Sequence, residues 1–429
     1  MARFSDYMTV ALLLLALGST EFSAADAGGL TLSVEQVTFG PKHHFFGYIG
    51  QSKTIPWNAS GHYILTLRTA YHDRMPAADD AAEICLIDTR DGNKVIPIEK
   101  TRAWNFQQGT MFYWNPRSPD TQFFFNDRAP DTNHVYTVLY DMAERKRIRE
   151  YRFPESPVAN GGVAPDGSFF AAINYGRLAR LRPVTGYPGA HDWHADAQAP
   201  KDDGLFIVDV ETGEKRLLIS FAEMEKHVRS KNRAVSDAGL YINHTLWNRE
   251  SDTLYFFLRG RLGKKKIGVN VPCTIRADGS AFTIHDTFIG GHPEWGEGYQ
   301  IIGRRRRDQA IYDVRQKRIV GQLGSPKIFP KPEGDIALSP DGRWFVNGGP
   351  REGGRLVYDF LRLADGLHLR SPALNRGRFL HGELRIDPAP RWNRDSSAIL
   401  APGWTEDGTR QLHIIRIEEA TQASAEKKL

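Results

Sequence analysis

Trp247-Asn248-Arg249-Glu250-Ser251-Asp252, followed by Leu254-Tyr255-Phe256-Phe257-Leu258, sets the pattern of this chain: an aromatic residue leads into a tight polar turn, and an apolar run leaves it. The figure recurs at Trp57-Asn58-Ala59-Ser60-Gly61, Trp114-Asn115-Pro116-Arg117-Ser118-Pro119-Asp120 and Val163-Ala164-Pro165-Asp166-Gly167. It returns at Trp295-Gly296-Glu297-Gly298, Leu338-Ser339-Pro340-Asp341-Gly342 and Trp392-Asn393-Arg394-Asp395-Ser396. Seven repeats with a period of roughly 50 residues predict an all-β, seven-bladed β-propeller, one four-stranded blade per repeat. A single blade cannot bury its own apolar face, so the blades must stack around a common axis. Such a ring gathers residues from every repeat at one central opening.

Within a repeat, the second apolar strand leads to a third that ends near an aspartate, as in Leu86-Ile87-Asp88, Leu139-Tyr140-Asp141 and Ile207-Val208-Asp209. Turn residues follow and lead to the outer strand. The last repeat runs out of strands after Gln411–Ile417, whereas Thr31–Val37 is a strand without a blade. Pairing the two closes the ring and removes its exposed edges. Arg182–Lys201 and Phe221–Gly239 are long insertions, expected to be functional loops; Phe221–Ala234 is the clearest helix candidate.

The 41% hydrophobic content of 429 residues is ample for a large core. Residues 1–27 read as an export signal: Arg3 gives a basic start, Val10–Leu17 a short apolar run, and Ala25-Asp26-Ala27 a small-residue cleavage site. That apolar run is too short for a transmembrane anchor. The expected domains are the signal at 1–27, the propeller at 28–417 and a polar tail at 418–429, in a periplasmic or extracellular protein. Two cysteines, Cys85 and Cys273, leave open a disulfide or two buried thiols. A net charge of +5 suits an anionic partner, and no nucleic-acid-binding motif is present.

In a propeller, residues just before each inner strand and just after each second strand face the opening. The first set holds His43, His44, Gln107, Gln108, Asn160, Asn243, His244, His292, Asp335 and Asp387. The second holds Asn126, Asp127, Arg128, Asn174, Tyr175, Arg177, Arg259, Arg304 and Asn347. Imidazoles serve acid–base work, and guanidiniums grip carboxylate or sulfate at two points. His244 and His292 stand at matched positions before Trp247 and Trp295. The segment Asn174–Arg182, read as extended, would place Arg177, Arg180 and Arg182 on one side. There is no nucleophile elbow, no His-Glu-x-x-His and no phosphate-binding glycine loop.

These residues resemble the seven-bladed polysaccharide lyases, the oligogalacturonate lyases in particular and the ulvan lyases more distantly. The resemblance spans roughly residues 40–417. Its local carriers are Gly291-His292-Pro293-Glu294-Trp295, Leu338–Gly342 and Pro390-Arg391-Trp392-Asn393-Arg394-Asp395. It implies β-elimination on a uronate-containing oligosaccharide or polysaccharide. It also implies a divalent metal such as manganese or calcium, with His292 at a matching ligand position and Asp335 as a substitute; Asp335 and Ala389 stand where further histidines are expected. The implied catalytic set is His43, His44, Tyr48, Tyr175, Arg177, His244 and His292. Arg177 neutralises the uronate, His244 or His292 is the base, and Tyr175 or Tyr48 is the acid. Gln108, Asn126, Arg128, Asn174, Arg180, Arg182, Arg259 and Arg304 would hold the rest of the glycan. Two other readings stay open. One is a non-catalytic propeller binding an anionic glycan or a protein. The other is a glycoside hydrolase with paired acids drawn from Asp127, Asp335, Asp387 and Glu294.

Overall fold

The computed structural model describes residues 29–47, 53–262, 266–330, 332 and 334–420. The leader-like residues 1–27, Tyr48 and the end of the polar tail lie outside the described residues. Seven antiparallel sheets follow one another in chain order, each with strands in simple up-and-down sequence. The inner strands include Tyr113–Trp114, Ala159–Val163, Gly239–Trp247, Gly290–Trp295, Asp335–Leu338 and Arg391–Trp392. Blade one is atypical: its inner edge is His43–Phe45, with a separate bridge between Trp57 and Ile64.

Burial explains why inner and outer strands read so differently. A blade's inner strands are covered on both faces by neighbouring blades, so Phe123, Phe124 and Phe125 are all buried in succession. Outer strands meet solvent on one side, and Lys146–Tyr151 and Arg318–Leu323 alternate accordingly.

The repeated tryptophan has a mechanical reason. Trp114 Nε1 donates to Pro56 O (2.7 Å), Trp247 to Gly162 O (2.8 Å), Trp295 to Leu246 O (2.7 Å) and Trp392 to Ala337 O (3.0 Å). Each acceptor is the residue before the matching turn of the preceding blade. The indole therefore fills the space between two blades and stitches them with one directional bond. Val163 and Leu338 take this place in blades three and six, where there is no indole to donate. The repeated aspartate closes the turn after the third strand: Asp141 Oδ1 accepts from Ala143 N (2.8 Å) and Glu144 N (3.0 Å), and Asp209 and Asp313 do the same.

Leu30–Gln36 pairs antiparallel with Arg410–Glu419, from Leu30 opposite Glu419 to Gln36 opposite His413. This strand is the outer strand of blade seven and closes the ring as expected. Cys85 and Cys273 are free and buried in blades one and four, which decides for two thiols. The segment expected to be extended is helical. Tyr175–Leu181 forms α1, with Asn174 as its cap accepting from Arg177 N at 2.8 Å. A helix sends Arg177 and Arg180 in different directions, so the single row of guanidiniums does not form. Phe221–Val228 is a second helix, α2, capped by Ser220 and Glu223 acting reciprocally.

Candidate functional site

Four blades enter their inner strands through one unusual residue. Met111, His244, His292 and Ala389 all have left-handed backbones (φ 58°, 58°, 54° and 43°), and each stands three residues before its tryptophan. At His244 and His292 the ladder slips between Asn243 and Leu246 and between Gly290 and Glu294. Such bulges re-aim a side chain out of the pleat. Blade six keeps a regular ladder at the matching Asp335.

Three of these positions meet. The His244 and His292 rings lie 5.4 Å apart, centroid to centroid. His292 Nδ1 hydrogen-bonds Asp335 Oδ1, and Asp335 Oδ2 accepts from Ala389 N at 2.9 Å. Asp335 is buried, which by itself raises its carboxyl. The charge and hydrogen bond of His292, with the Ala389 amide and Arg391, outweigh that and hold it below the usual carboxylate range. Asp335 thereby fixes the orientation of the His292 ring and which of its nitrogens faces the carboxylate. His244 is pushed well below the ordinary histidine range, first by burial and then by the charges of His292, Arg259 and Arg182. It is a neutral imidazole at neutral pH.

Those arginines form the cationic wall of the site. Arg259, opposite Tyr241 in the ladder, is pushed down to about 10 by burial and by the nearby charge of Arg182. Arg182, Arg261, Arg385, Tyr241 and Glu383 line a cleft of about 220 Å³. Arg385 already grips Asp387 with both arms, at 2.8 and 3.0 Å. Arg385 and Tyr241 are absent from the set drawn from sequence. Arg385 belongs to the connection of residues 371–390, which crosses the mouth. In that connection Leu384 O meets His72 Nε2 of blade one (2.7 Å), and Arg385 O accepts from Gln107 Nε2 before blade two (2.7 Å). Only the length of that connection hints at such a strap.

Several expected site residues are spent on the scaffold. Arg177 is 1% exposed, and its guanidinium donates to the carbonyls of Leu240, His194 and Gln198. It pins the Arg182–Lys201 insertion to blade four and cannot also neutralise a uronate. The Tyr175 hydroxyl donates to Asn160 O (2.9 Å) and its ring stacks on Tyr187 at 4.2 Å, with burial pushing the phenol well above its usual range. It is no proton donor. Asn126 bonds Asn160 O and the Tyr187 hydroxyl, Arg128 bonds Asn133 and Ala78 O, and Asn174 bonds Asp192 and Asp203. Gln108 is buried. Arg180 pairs with Asp192 at 2.9 Å beside a separate cleft of about 530 Å³. Arg304 is half-buried in blade five, opposite Gly290.

His43 and His44 belong to the seam between blades one and seven. His43 Nδ1 accepts from Arg410 N (3.0 Å) and its ring lies 5.7 Å from both His72 and Trp404; His44 Nδ1 is 2.8 Å from Gln411 Oε1. Of the four acids considered for hydrolysis, Asp387 lies near Asp335 and is raised by burial and by that carboxylate. Asp127 pairs with Arg147 (2.9 Å), while Glu294, 4.0 Å from Arg391, is raised to about 7 by burial in spite of that arginine.

The expected metal ligands are joined to each other instead of turned toward a common ion. Both Asp335 oxygens already accept protein hydrogen bonds, and blade seven offers the methyl of Ala389. Among the described residues, no three His, Cys, Asp or Glu side chains converge as an ion requires. The donor set does not fit a divalent metal.

No protein-family model and no curated protein matches the sequence. Among solved structures, the chain is similar to an oligogalacturonate lyase from Vibrio parahaemolyticus, at 14% identity and a TM-score of 0.60 over 94% of this chain and 97% of that one. A second oligogalacturonate lyase, in complex with manganese, gives 16% identity and a TM-score of 0.60 over the same shares. At such identities the likeness is one of architecture: this chain is a seven-bladed β-propeller with the fold of the oligogalacturonate lyases.

Proposed function

We propose that the protein is a lyase that cleaves uronate-containing oligosaccharides by β-elimination. The observation that carries this reading is the pair of imidazoles beside unpaired guanidiniums: His244 held neutral, His292 tied to Asp335, with Arg182 and Arg259 acting on the same spot. The proton on C5 of a uronate is weakly acidic while its carboxylate carries full charge. Guanidiniums that neutralise the carboxylate stabilise the enolate-like intermediate.

His244 is the base in this scheme. Its ring nitrogens hold no hydrogen bond among the described residues, and a neutral imidazole can accept a proton. An incoming carboxylate raises its proton affinity and so offsets the depression seen without ligand. His244 takes the C5 proton, the C–H electrons form the C4–C5 double bond, and the C4–O4 bond breaks. His292, hydrogen-bonded to Asp335, returns a proton to O4. Export, read from residues 1–27, would place such an enzyme where acidic polymers are met.

The test is incubation of the purified protein with galacturonate, ulvan-type and glycosaminoglycan oligosaccharides. A lyase yields an unsaturated uronate with a new ultraviolet absorbance. New reducing ends without absorbance would show a hydrolase, and binding without either would show a module that only holds its glycan.

A further inference from the structure

We infer that this site binds the carboxylate of an acidic sugar with guanidiniums alone, so that recognition is independent of a divalent ion. This rests on the reading of the site as one for uronates, and departs from the manganese complex of the similar lyase.

Two independent observations support it. The first is the donor set: among the described residues no three His, Cys, Asp or Glu side chains converge, Asp335 is turned to His292 and the Ala389 amide, and Ala389 has no donor side chain. The second is the convergence of like charges. Arg182 and Arg259 both act on His244, and Arg182 shares its cleft with Arg261. Among the described residues no carboxylate pairs with any of these three. Arg259 has only the Asn270 side chain (3.0 Å) and Arg261 only Leu181 O (2.9 Å), while the buried Nε atoms of Arg182 and Arg261 have no partner. Guanidiniums this close repel one another, and an anion between them removes that repulsion. Two other crowded arginines do meet carboxylates, Arg147 against Glu99 and Asp127 and Arg385 against Asp387, whereas the buried Arg177 and Arg128 are held by carbonyl and amide oxygens of the scaffold. The unmatched group marks where the ligand supplies the negative charge. A flat carboxylate suits the two-point grip of a guanidinium, so the site fits a sugar acid better than a neutral glycan.

The experiment uses the full chain, stripped with EDTA and titrated with trigalacturonate by calorimetry, first in metal-free buffer and then with excess manganese chloride. The expected result is equal affinity in both, within about threefold. Arg182→Ala and Arg259→Gln should each weaken binding at least about tenfold, with circular dichroism unchanged. Binding seen only with manganese overturns the inference, as does binding by both folded variants at the wild-type level, or no binding under either condition. Product formation separates the two proposals. Metal-free binding without an unsaturated product keeps the arginine site and removes the elimination; elimination that requires manganese keeps the lyase and removes the arginine site.

Discussion

Two pairs of histidines show how the same residue type acquires different work. His43 and His44 are adjacent in the chain and sit in the seam of blades one and seven. There, Arg410 N and Gln411 occupy ring nitrogens, and Trp404 and His72 crowd the His43 ring. His244 and His292 come from separate blades, lie ring against ring, and stand near Arg182 and Arg259, which no carboxylate pairs among the described residues. The first pair is enclosed in the packed seam, with one nitrogen of each ring hydrogen-bonded. The second stands beside arginines that no carboxylate pairs among the described residues, and that surrounding makes a site.

The largest test of this contrast is removal of the proposed base. His244→Gln should lower the elimination rate by on the order of 10²–10⁴ with the melting temperature nearly unchanged. His44→Gln should leave turnover within a few fold and lower stability instead. Equal losses of turnover in both would erase the distinction.

Next comes Arg177, which separates scaffold arginines from those of the site. Arg177→Ala leaves three carbonyls in the interior without their donor and should cost about 3–5 kcal/mol of stability in denaturant titrations. Arg182→Ala, by contrast, should change stability by less than about 1 kcal/mol.

Acid sharpens the contrast further. Burial pushes His44 and His413 down to about 4 and His72 to about 3. The unfolded chain binds protons at these positions from about pH 6.5 downward while the folded chain does not. Stability is therefore full above that pH and falls as pH drops toward 4. Each histidine contributes a loss on the order of 1.4 kcal/mol for every pH step of one across that window. A melting temperature that stays flat from about pH 6.5 to about pH 4.5 would contradict this account of the seam.

The smallest effect is expected where blades four and five are stitched. Trp295→Phe keeps an aromatic ring but removes the bond to Leu246 O, costing roughly 1–2 kcal/mol. Since Leu246 and Trp295 lie on the strands that carry His244 and His292, a modest loss of turnover should accompany it.

The ring is legible in the order of residues alone. Seven polar turns, the orphan strand near the N-terminus and the missing outer strand near the C-terminus are local patterns, and propeller closure follows from them because strand edges must be paired. The equivalence of His244 and His292 is legible too, since both are counted from the same tryptophan. Which polar groups remain available is settled only in the folded molecule. Arg177 reads as a ligand-binding residue and is consumed by carbonyls of blade four and of an insertion. Asp335 reads as a substitute metal ligand and is consumed by His292 and Ala389. Arg385 and Tyr241 carry no signal at all. Hydrogen bonds and ion pairs of this kind join residues far apart in the chain, and their strength depends on the burial of both partners. Periodicity reports which face of a strand is apolar; it does not report whose lone pair a guanidinium has already taken.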